Sequence, residues 1–206
     1  FREAGPALET PPVDRRQLLA RDTCSSFLYY ATGSRSCSSV LVTISLTKRH
    51  DLFMLLWHLF NPVADTVTVE VGLGADDLEP LVFAVSQKRD AKKILQEIPH
   101  LQDYAGVTRS PSLPSALACL SESSTLVEPL LPSAAVKTLT EYHDLLELMH
   151  FTDQNQQPIL GQAVTPRKAL RFRFRIEVAA GDRTRSTRGA VEMIELALFY
   201  IEFLHK

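Results

Sequence analysis

The chain has 206 residues and a formal net charge of −2, with 45% of its residues hydrophobic and 22% charged. This composition is typical of a globular protein with a sizeable core, and the length suits one domain with extensions. The charge argues against a protein that attracts nucleic acid over its whole surface, but it leaves room for a local basic patch.

The termini and the apolar runs indicate part of a longer protein. The longest apolar run, Leu52 to Phe60, is about half of what a membrane-spanning helix needs, and it contains His58. No secretory signal is visible. The chain begins at Phe1 rather than Met, and its last helical pattern reaches Lys206 without a cap. We therefore expect any targeting or membrane segment to lie outside this sequence.

Cysteine usage indicates a reducing compartment. Cys24, Cys37 and Cys119 form no CxxC pair, and their odd number and irregular spacing predict free thiols. Cys24 and Cys37 flank a predicted hairpin, so a disulfide across it is the alternative. The absence of an Asn-x-Ser/Thr site is consistent with a cytosolic domain.

The N-terminal part is predicted to contain a lead-in, a short helix and two strands. Residues 1–13 are rich in proline and small residues and are expected to be poorly ordered. Asp14 is a suitable N-cap for a short helix to Arg21. Strands are predicted over Phe27–Ala31 and, from the alternation of apolar and polar residues, over Val40–Leu46.

A long apolar helix is predicted next, capped by Thr47 and ended by Asn61-Pro62. It is apolar on nearly every side, which is typical of a helix buried between layers or of one that presents an apolar strip to a partner. Burial is the simpler interpretation, because apolar residues usually lie inside. The candidate partner surface consists of Leu52, Leu56, Trp57 and Phe60.

The middle of the chain predicts a buried sheet. Thr66–Leu73 alternates strictly and is predicted to be half-buried, whereas Leu81–Val85 is apolar on both faces and is predicted to be central. Gly74–Asp77 has the composition of a turn. A helix is predicted over Lys88–Ile98, and Pro99 follows it.

The next segments are predicted to be a loop over Val107–Pro114, a strand over Ser115–Ser121, a capping box beginning at Thr125 and a helix from Ser133 to about His143. Strands over Leu145–Phe151 and Ala169–Val178 follow.

The chain ends in a predicted helix over Thr187–Phe203 with two apolar rows. The rows are Val191, Ile194, Leu198 and Ile201, and Met193, Ala197, Tyr200 and Leu204. Strands and helices mix without strict alternation along the whole chain. The predicted class is therefore α+β, a single globular domain with a mixed, largely antiparallel sheet packed by helices.

The strand over Ala169–Val178 carries the strongest charge feature. Its apolar and charged residues alternate, so Arg171, Arg173 and Arg175 share one face. The candidate contact residues are Arg167, Lys168, Arg171, Arg173 and Arg175. They are suited to phosphates of ribosomal RNA or of lipid headgroups. The alternative is a solvated face paired with glutamates. No aromatic residue lies among the arginines, so sequence-specific nucleic-acid binding is not expected.

His150 and Asp153 are the candidate catalytic pair of a hydrolase-like enzyme, because they lie at a strand end beside a polar loop. A catalytic triad also needs a nucleophile and oxyanion donors, which the sequence does not supply nearby. A structural histidine is the simpler interpretation. The six histidines and the acidic Asp76-Asp77 turn have neither zinc-site nor EF-hand spacing, so no cofactor is expected in this chain.

Five segments in the same order resemble the cytosolic domain of the calumin family of endoplasmic reticulum membrane proteins. The similarity runs from about Ser39 to Lys206, and His150–Gln154 carries it most clearly. The other segments are Lys48–Leu52, Asn61–Asp65, Val82–Val85 and Leu113–Ala118. The resemblance divides the chain into an N-terminal extension with a short helix and first strand, 1–38, and the calumin-type globular domain, 39–206.

The resemblance implies a non-catalytic domain on the cytosolic side of the endoplasmic reticulum membrane. Calumin-type proteins belong to the PAT complex, an intramembrane chaperone for multipass membrane proteins at the ribosome-bound Sec translocon. The implied partners are the other PAT complex subunit, the Sec translocon and the ribosome. Calcium binding is implied only for a lumenal segment outside this sequence, and a transmembrane segment outside it anchors the protein.

Overall fold

The structure, a computed structural model, describes residues 19–34, 37–47, 64–73, 81–108, 110–155, 167–176 and 183–204. The strands described are β1 (Ala20–Arg21), β2 (Ser26–Ser34), β3 (Cys37–Ser45), β4 (Asp65–Gly72), β5 (Phe83–Gln87), β6 (Gly106–Thr108), β7 (Leu117–Ser121), β8 (Leu146–Asn155) and β9 (Arg167–Ile176). The α-helices described are α1 (Ala91–Glu97), α2 (Pro99–Tyr104), α3 (Val127–Leu130), α4 (Ser133–Glu141) and α5 (Arg183–Phe203). A 3-10 turn, Ser124–Leu126, precedes α3.

The described strands form one sheet in the order β1-β2-β3-β4-β9-β8-β5-β7-β6, and neighbouring strands are antiparallel. The predicted α+β class with a largely antiparallel sheet is confirmed. The strand β9 lies between β4 and β8, so it joins the N-terminal strands to the remaining ones. The N-terminal extension of residues 1–38 contributes β1, β2 and the start of β3 to this same sheet.

Burial in β4 and β9 follows the predicted period of two. Val67, Val69 and Val71 are buried, and the threonines between them are half-buried. In β9 the even-numbered Leu170, Phe172 and Phe174 are fully buried, while the arginines between them are half-buried. The strand β5 has a neighbour on each side and is buried at every residue, which confirms its predicted central position.

The helix α5 contributes aromatic and aliphatic side chains to the larger of two hydrophobic clusters, the main core, which contains Leu170, Phe172 and Phe174 of β9. The Tyr200 ring lies with its centroid 5.2 Å from that of Phe151 and 6.0 Å from that of Phe172. Its hydroxyl donates to the Leu130 carbonyl oxygen at 2.8 Å. Met193 and Ala197 of the same helical row are also buried. The second predicted row is covered in part, because Ile201 is buried and Ile194 packs against the core, while Val191 and Leu198 are exposed.

A second core cluster lies on the opposite face of the sheet. It contains Ile94 of α1 and Leu101 of α2 together with Ala84, Leu120 and Leu148. The register places these sheet residues on the face of the arginines, because Ala84 pairs with His150 and His150 pairs with Arg171. The arginine-bearing face is therefore covered by α1 and α2 over β5, β7 and β8.

Several element boundaries differ from the sequence predictions. Ala20 and Arg21 form a strand rather than the end of a helix. Residues 106–108 form an edge strand where a loop was predicted. Pro99 begins α2 instead of following the last helix residue into a loop, since a proline is well tolerated in the first helical turn.

The capping residue near α3 also differs. The sequence predicts a capping box that begins at Thr125. In the structure the Ser123 hydroxyl accepts the Thr125 N–H at 3.4 Å, so Ser123 is the capping residue of the 3-10 turn. The apolar helix predicted after Thr47 and the turn predicted over Gly74–Asp77 lie outside the described residues, as do all four residues of the candidate apolar partner surface. Within the described part of the chain, no helix is both long and apolar enough to span a bilayer.

The cysteines are free thiols, as predicted. Cys24 lies just before β2, at the end of the hairpin where Ser26 pairs with Ser45, while Cys37 pairs with Ser34 at the other end. The alternative of a disulfide between them is therefore wrong. Burial raises the pKa of the Cys119 thiol to about 12, which keeps it protonated and unreactive near neutral pH.

Gly189 of α5 is packed too closely to accept a side chain. A Cβ atom there would lie 2.8 Å from Cδ1 of Tyr142 and closer still to Cδ1 of Leu145, and both residues are buried. Alanine normally stabilises a helix interior by about 1 kcal/mol over glycine. We expect Gly189→Ala instead to lower the free energy of unfolding by about 1–3 kcal/mol, because the core is overpacked.

Urea denaturation measures this effect, and Gly106→Ala in β6 is the matched control. Apart from Gly106 itself and its two chain neighbours, no heavy atom of the structure lies within 4 Å of a Cβ built at Gly106, so its substitution should change stability by less than about 0.5 kcal/mol. A Gly189→Ala protein as stable as the unmodified chain would contradict the predicted clash.

Candidate functional site

The predicted arginine row lies on one face of the sheet, which we call the arginine face, and two of its three members are neutralised. The Arg171 Nε donates to Oε1 of Glu70 on β4 at 2.7 Å. The Arg175 Nε donates to Oε1 of Glu147 at 2.6 Å, and its Nη2 lies 3.6 Å from Oδ2 of Asp90. For Arg171 and Arg175 the structure therefore agrees with the alternative interpretation, in which the arginines of this face pair with glutamates.

Arg173 is the exception in the row. Its cross-strand neighbours are Thr68 on β4 and Leu148 on β8, neither of which can neutralise it. Among the described residues, Arg173 has no carboxylate within salt-bridge distance. The side chain of Arg173 is half-buried.

The remaining two candidate contact residues, Arg167 and Lys168, do not continue the arginine row. Lys168 alternates with Ala169 and therefore lies on the opposite face, the face of Leu170. Arg167 begins β9 and pairs with Asn155 beyond a register shift, and its side chain lies outside the described residues. The five candidates are thus not one continuous stripe, and the prediction of a contact falls mainly on Arg173.

His150 lies in the middle of β8 rather than at its end, and it is a buried residue paired with the half-buried His100. Its Nε2 lies 3.2 Å from Nε2 of His100 on α2, so one ring donates an N–H to the other. The two rings stack at an interplanar angle of 17°. Burial, and then the nearby His100 and Arg171, lower the pKa of His150 to about 3, so the ring is neutral near pH 7.

Asp153 acts on the second histidine of the pair. Burial and then Arg171 lower the pKa of His100, while Asp153 and Asp103 act in the opposite direction. The described hydrogen-bond partner of the His150 ring is therefore His100, and Asp153 influences the pKa of His100. No pattern in the sequence could have indicated His100, because it lies 50 residues from His150 on a separate element.

Ser86, on the strand next to that of His150, is not a ready nucleophile. Ser86 lies diagonally across the β5–β8 register and is fully buried, and its Oγ has no hydrogen-bond partner among the described residues. A serine nucleophile needs a hydrogen bond to its base and access for a substrate. The position of Ser86 provides neither of them.

A cleft of about 660 Å³ opens at the ends of β5 and β9 and the start of β8. Lys88, Arg89 and Arg175 contribute positive charge to its walls, and Asp144 contributes negative charge. Asp144 is itself paired with Arg185, whose Nη1 lies 3.2 Å from its Oδ2. Neither His150 nor Asp153 lines this cleft. Over the described residues, no three histidine, cysteine, aspartate or glutamate side chains converge as metal ligands would.

Comparison with known proteins identifies the family of the chain. A family model described as PAT complex subunit CCDC47 matches residues 1–206. The chain is 24% identical over 184 residues to PAT complex subunit CCDC47 of Homo sapiens, covering 84% of this chain and 38% of that protein. It is 23% identical over 188 residues to the Xenopus laevis protein of the same name, covering 86% of this chain and 38% of the relative.

A plant relative is similar to the same extent. An uncharacterized protein of Arabidopsis thaliana is 26% identical over 197 residues, which is 91% of this chain and 38% of the relative. The chain thus spans 38% of the length of these relatives. The resemblance inferred from the five sequence segments is confirmed. Because the family model matches the chain along its whole length, the chain belongs to the family of PAT complex subunit CCDC47.

Proposed function

We propose that this chain is a non-catalytic domain, on the cytosolic side of the endoplasmic reticulum membrane, of a protein that supports the biogenesis of multipass membrane proteins. In this proposal it acts with the partner subunit of the PAT complex at the ribosome-bound Sec translocon. Membership of the PAT complex subunit family supports the proposal. The chain itself needs no cofactor for this role, and calcium binding is assigned to a lumenal segment outside it.

The observation that carries the proposed ribosome contact is that Arg173, on the arginine face, has no acidic partner among the described residues. Ribosomal RNA presents closely spaced phosphates, and each arginine that contacts one adds to the affinity by releasing counterions. Arg171 and Arg175 would have to give up half-buried carboxylates to bind a phosphate. Arg173 gives up no described ion pair, so its contact with a phosphate carries no such cost.

The surroundings of His150 argue against the hydrolase-like alternative and so favour a non-catalytic role for the chain. The ring is 2% exposed, and its described hydrogen bond is to another histidine. A general base must reach the substrate proton and titrate near the working pH. A buried imidazole with a pKa of about 3 meets neither condition. We therefore assign the histidine pair a structural role.

The test is ribosome co-sedimentation with Arg173→Glu. Loss of one phosphate contact should lower the affinity for ribosomes whatever the RNA sequence contacted. It should also reduce the slope of log K against log salt concentration by about 1 in magnitude. Lys137→Glu on α4 is the matched control, because Lys137 is exposed and lies away from the arginine face. Both variants change the net charge equally, so a difference between them reports position rather than total charge.

Unchanged co-sedimentation of Arg173→Glu, with the same salt dependence as the control, would remove the arginine face from the ribosome contact. Binding of Arg173→Glu to anionic vesicles distinguishes the lipid-headgroup alternative. If Arg173→Glu loses vesicle binding and keeps ribosome binding, the arginine face contacts lipid. Triple reversal of Arg171, Arg173 and Arg175 is less informative, because it also breaks two ion pairs.

A further inference from the structure

The cleft at the ends of β5 and β9 and the start of β8 is lined by more positive than negative side chains. Its volume of about 660 Å³ is typical of small-molecule sites. Lys88, Arg89 and Arg175 line it, and Asp144 is the acidic lining residue. Asp144 is held in an ion pair with Arg185, so it does not cancel the charge of the other three.

The guanidinium of Arg175 is held in one orientation at this cleft. Its Nε donates to Oε1 of Glu147 at 2.6 Å, and its Nη2 lies 3.6 Å from Oδ2 of Asp90. Its Nη1 forms no hydrogen bond within the described part of the chain. An anion that accepts from Nη1 leaves both carboxylates in place, whereas an anion at the Nε edge has to displace them. Arg175 is therefore a pre-organised donor, and little conformational entropy is lost when it binds.

A single carboxylate oxygen serves two arginines beside the cleft. Oδ2 of Asp90 lies 3.5 Å from Nε of Arg89 and 3.6 Å from Nη2 of Arg175. Both distances exceed those of a strong charge-assisted hydrogen bond, which are roughly 2.7–2.9 Å. The side chain of Arg89 is also 64% exposed, and exposed pairs of this kind add little stability. Arg89 can therefore turn to an anion at small cost.

Lys88 leaves the cleft with an excess of positive charge. It is exposed and forms no ion pair with any residue that the structure describes. Its backbone N–H donates to the Ala116 carbonyl oxygen at 2.9 Å, which fixes where its side chain starts. The three lining cations thus face two partner carboxylates, those of Asp90 and Glu147, and one positive charge is left over.

The polar groups that remain without described bonds at the cleft are donors. They are the Lys88 ammonium, both Nη atoms of Arg89 and Nη1 of Arg175, and neither residue type has an acceptor. A phosphomonoester presents three terminal oxygens and a charge of about −1.5 to −2, whereas a carboxylate presents two oxygens and one charge. The described lining residues include no phenylalanine, tyrosine or tryptophan on which a base would stack. The lining therefore suits a phosphate group rather than a nucleobase.

We propose that this cleft binds a phosphomonoester group, with Lys88, Arg89 and Arg175 donating to its terminal oxygens. Two sources offer this group: a small soluble phosphate ester and the headgroup of phosphatidic acid. The site is separate from the proposed ribosome contact, because Arg173 does not line the cleft.

Isothermal titration calorimetry of the unmodified chain with glycerol 3-phosphate measures the affinity of the cleft. Titration with glycerate, in which a carboxylate takes the place of the phosphate, tests the class of ligand. We expect glycerol 3-phosphate to bind at least about tenfold more tightly than glycerate, because it accepts more charge-assisted hydrogen bonds.

Neutralising the exposed cations of the cleft should weaken this binding. The double variant Lys88→Gln and Arg89→Gln should bind glycerol 3-phosphate at least about tenfold less tightly. The matched control is Lys92→Gln with Lys93→Gln, which removes the same charge from exposed residues of α1 that do not line the cleft. Both double variants should melt at the temperature of the unmodified chain, because all four residues are exposed.

Vesicle co-flotation distinguishes the two sources of the group. Phosphatidylcholine vesicles carry either phosphatidic acid, a phosphomonoester, or phosphatidylglycerol, a phosphodiester, at matched surface charge. Binding of glycerol 3-phosphate that the cleft variant weakens supports the site with a soluble ester. Binding to phosphatidic acid vesicles alone, weakened by the cleft variant, supports it with a lipid headgroup.

Three results would overturn the proposal. One is no binding of glycerol 3-phosphate at concentrations well above about 1 mM together with no preference for phosphatidic acid vesicles. Another is equal affinity for glycerate and glycerol 3-phosphate, and the last is an equal loss of binding in the α1 control. Arg173→Glu should leave glycerol 3-phosphate binding unchanged, so failure of the ribosome contact remains distinguishable from failure of this site.

Discussion

Replacing Tyr200 with alanine is expected to lower the free energy of unfolding by about 3–5 kcal/mol, as for other large aromatic residues removed from a core. Tyr200 is fully buried, and its ring contacts those of Phe151 on β8 and Phe172 on β9. Its removal leaves a cavity where α5 meets the centre of the sheet. Urea denaturation monitored by circular dichroism measures the change, provided that unfolding is two-state.

Two further variants separate the contributions of the Tyr200 ring and hydroxyl. Tyr200→Phe keeps the ring and removes the bond to the Leu130 carbonyl oxygen, so it should cost about 0.5–1.5 kcal/mol. Tyr30→Ala is the exposed control, because Tyr30 is 64% exposed, and it should change stability by less than about 0.5 kcal/mol. Equal losses for Tyr200→Ala and Tyr30→Ala would contradict the proposed position of Tyr200 in the core.

Acidification is expected to destabilise the protein through the buried His150 and its half-buried partner His100. The pKa of His150 falls from 6.5 to about 3 on folding, so between these values the unfolded chain binds a proton that the folded chain does not. The free energy of unfolding is unaffected by His150 above about pH 6.5. Below that pH, protonation of His150 in the unfolded chain lowers it by up to about 1.4 kcal/mol per pH unit. The lowered pKa of His100 adds to the loss in the same direction.

The measurement is the free energy of unfolding in urea at a series of pH values from about 7 to about 4.5, over which linkage to His150 acts. His150→Gln should be less stable near neutral pH, and its stability should depend less steeply on pH. His143→Gln is the matched control, since it removes a histidine outside the pair. An unchanged pH dependence in His150→Gln would show that another group produces the acid sensitivity.

Local patterns were sufficient wherever a residue's environment follows from its neighbours in sequence. The alternation in β4 and β9 correctly separated the buried valines and phenylalanines from the half-buried residues between them. The continuous apolar run of β5 correctly indicated a central strand. These elements are predictable because a strand buried on one face alternates apolar and polar residues, whereas a strand buried on both faces is apolar throughout.

Partners from distant segments could not be predicted in the same way. The sequence placed Arg171, Arg173 and Arg175 on one face, but only the insertion of β9 between β4 and β8 decided which of them meet a glutamate. Glu70 and Glu147 belong to two different strands, so the neutralisation of Arg171 and Arg175 depends on strand order. Arg173 differs because its neighbours in register are Thr68 and Leu148.

The sequence by itself determined the α+β class, the period-two strands, the free cysteines and the family resemblance, because these depend on composition and short-range pattern. The tertiary structure alone decided that His150 pairs with His100 and which arginine lacks a described acidic partner. Each of these depends on contacts between segments that are far apart in the chain. Local propensity does not encode such contacts, because strand order and helix packing determine which distant side chains meet.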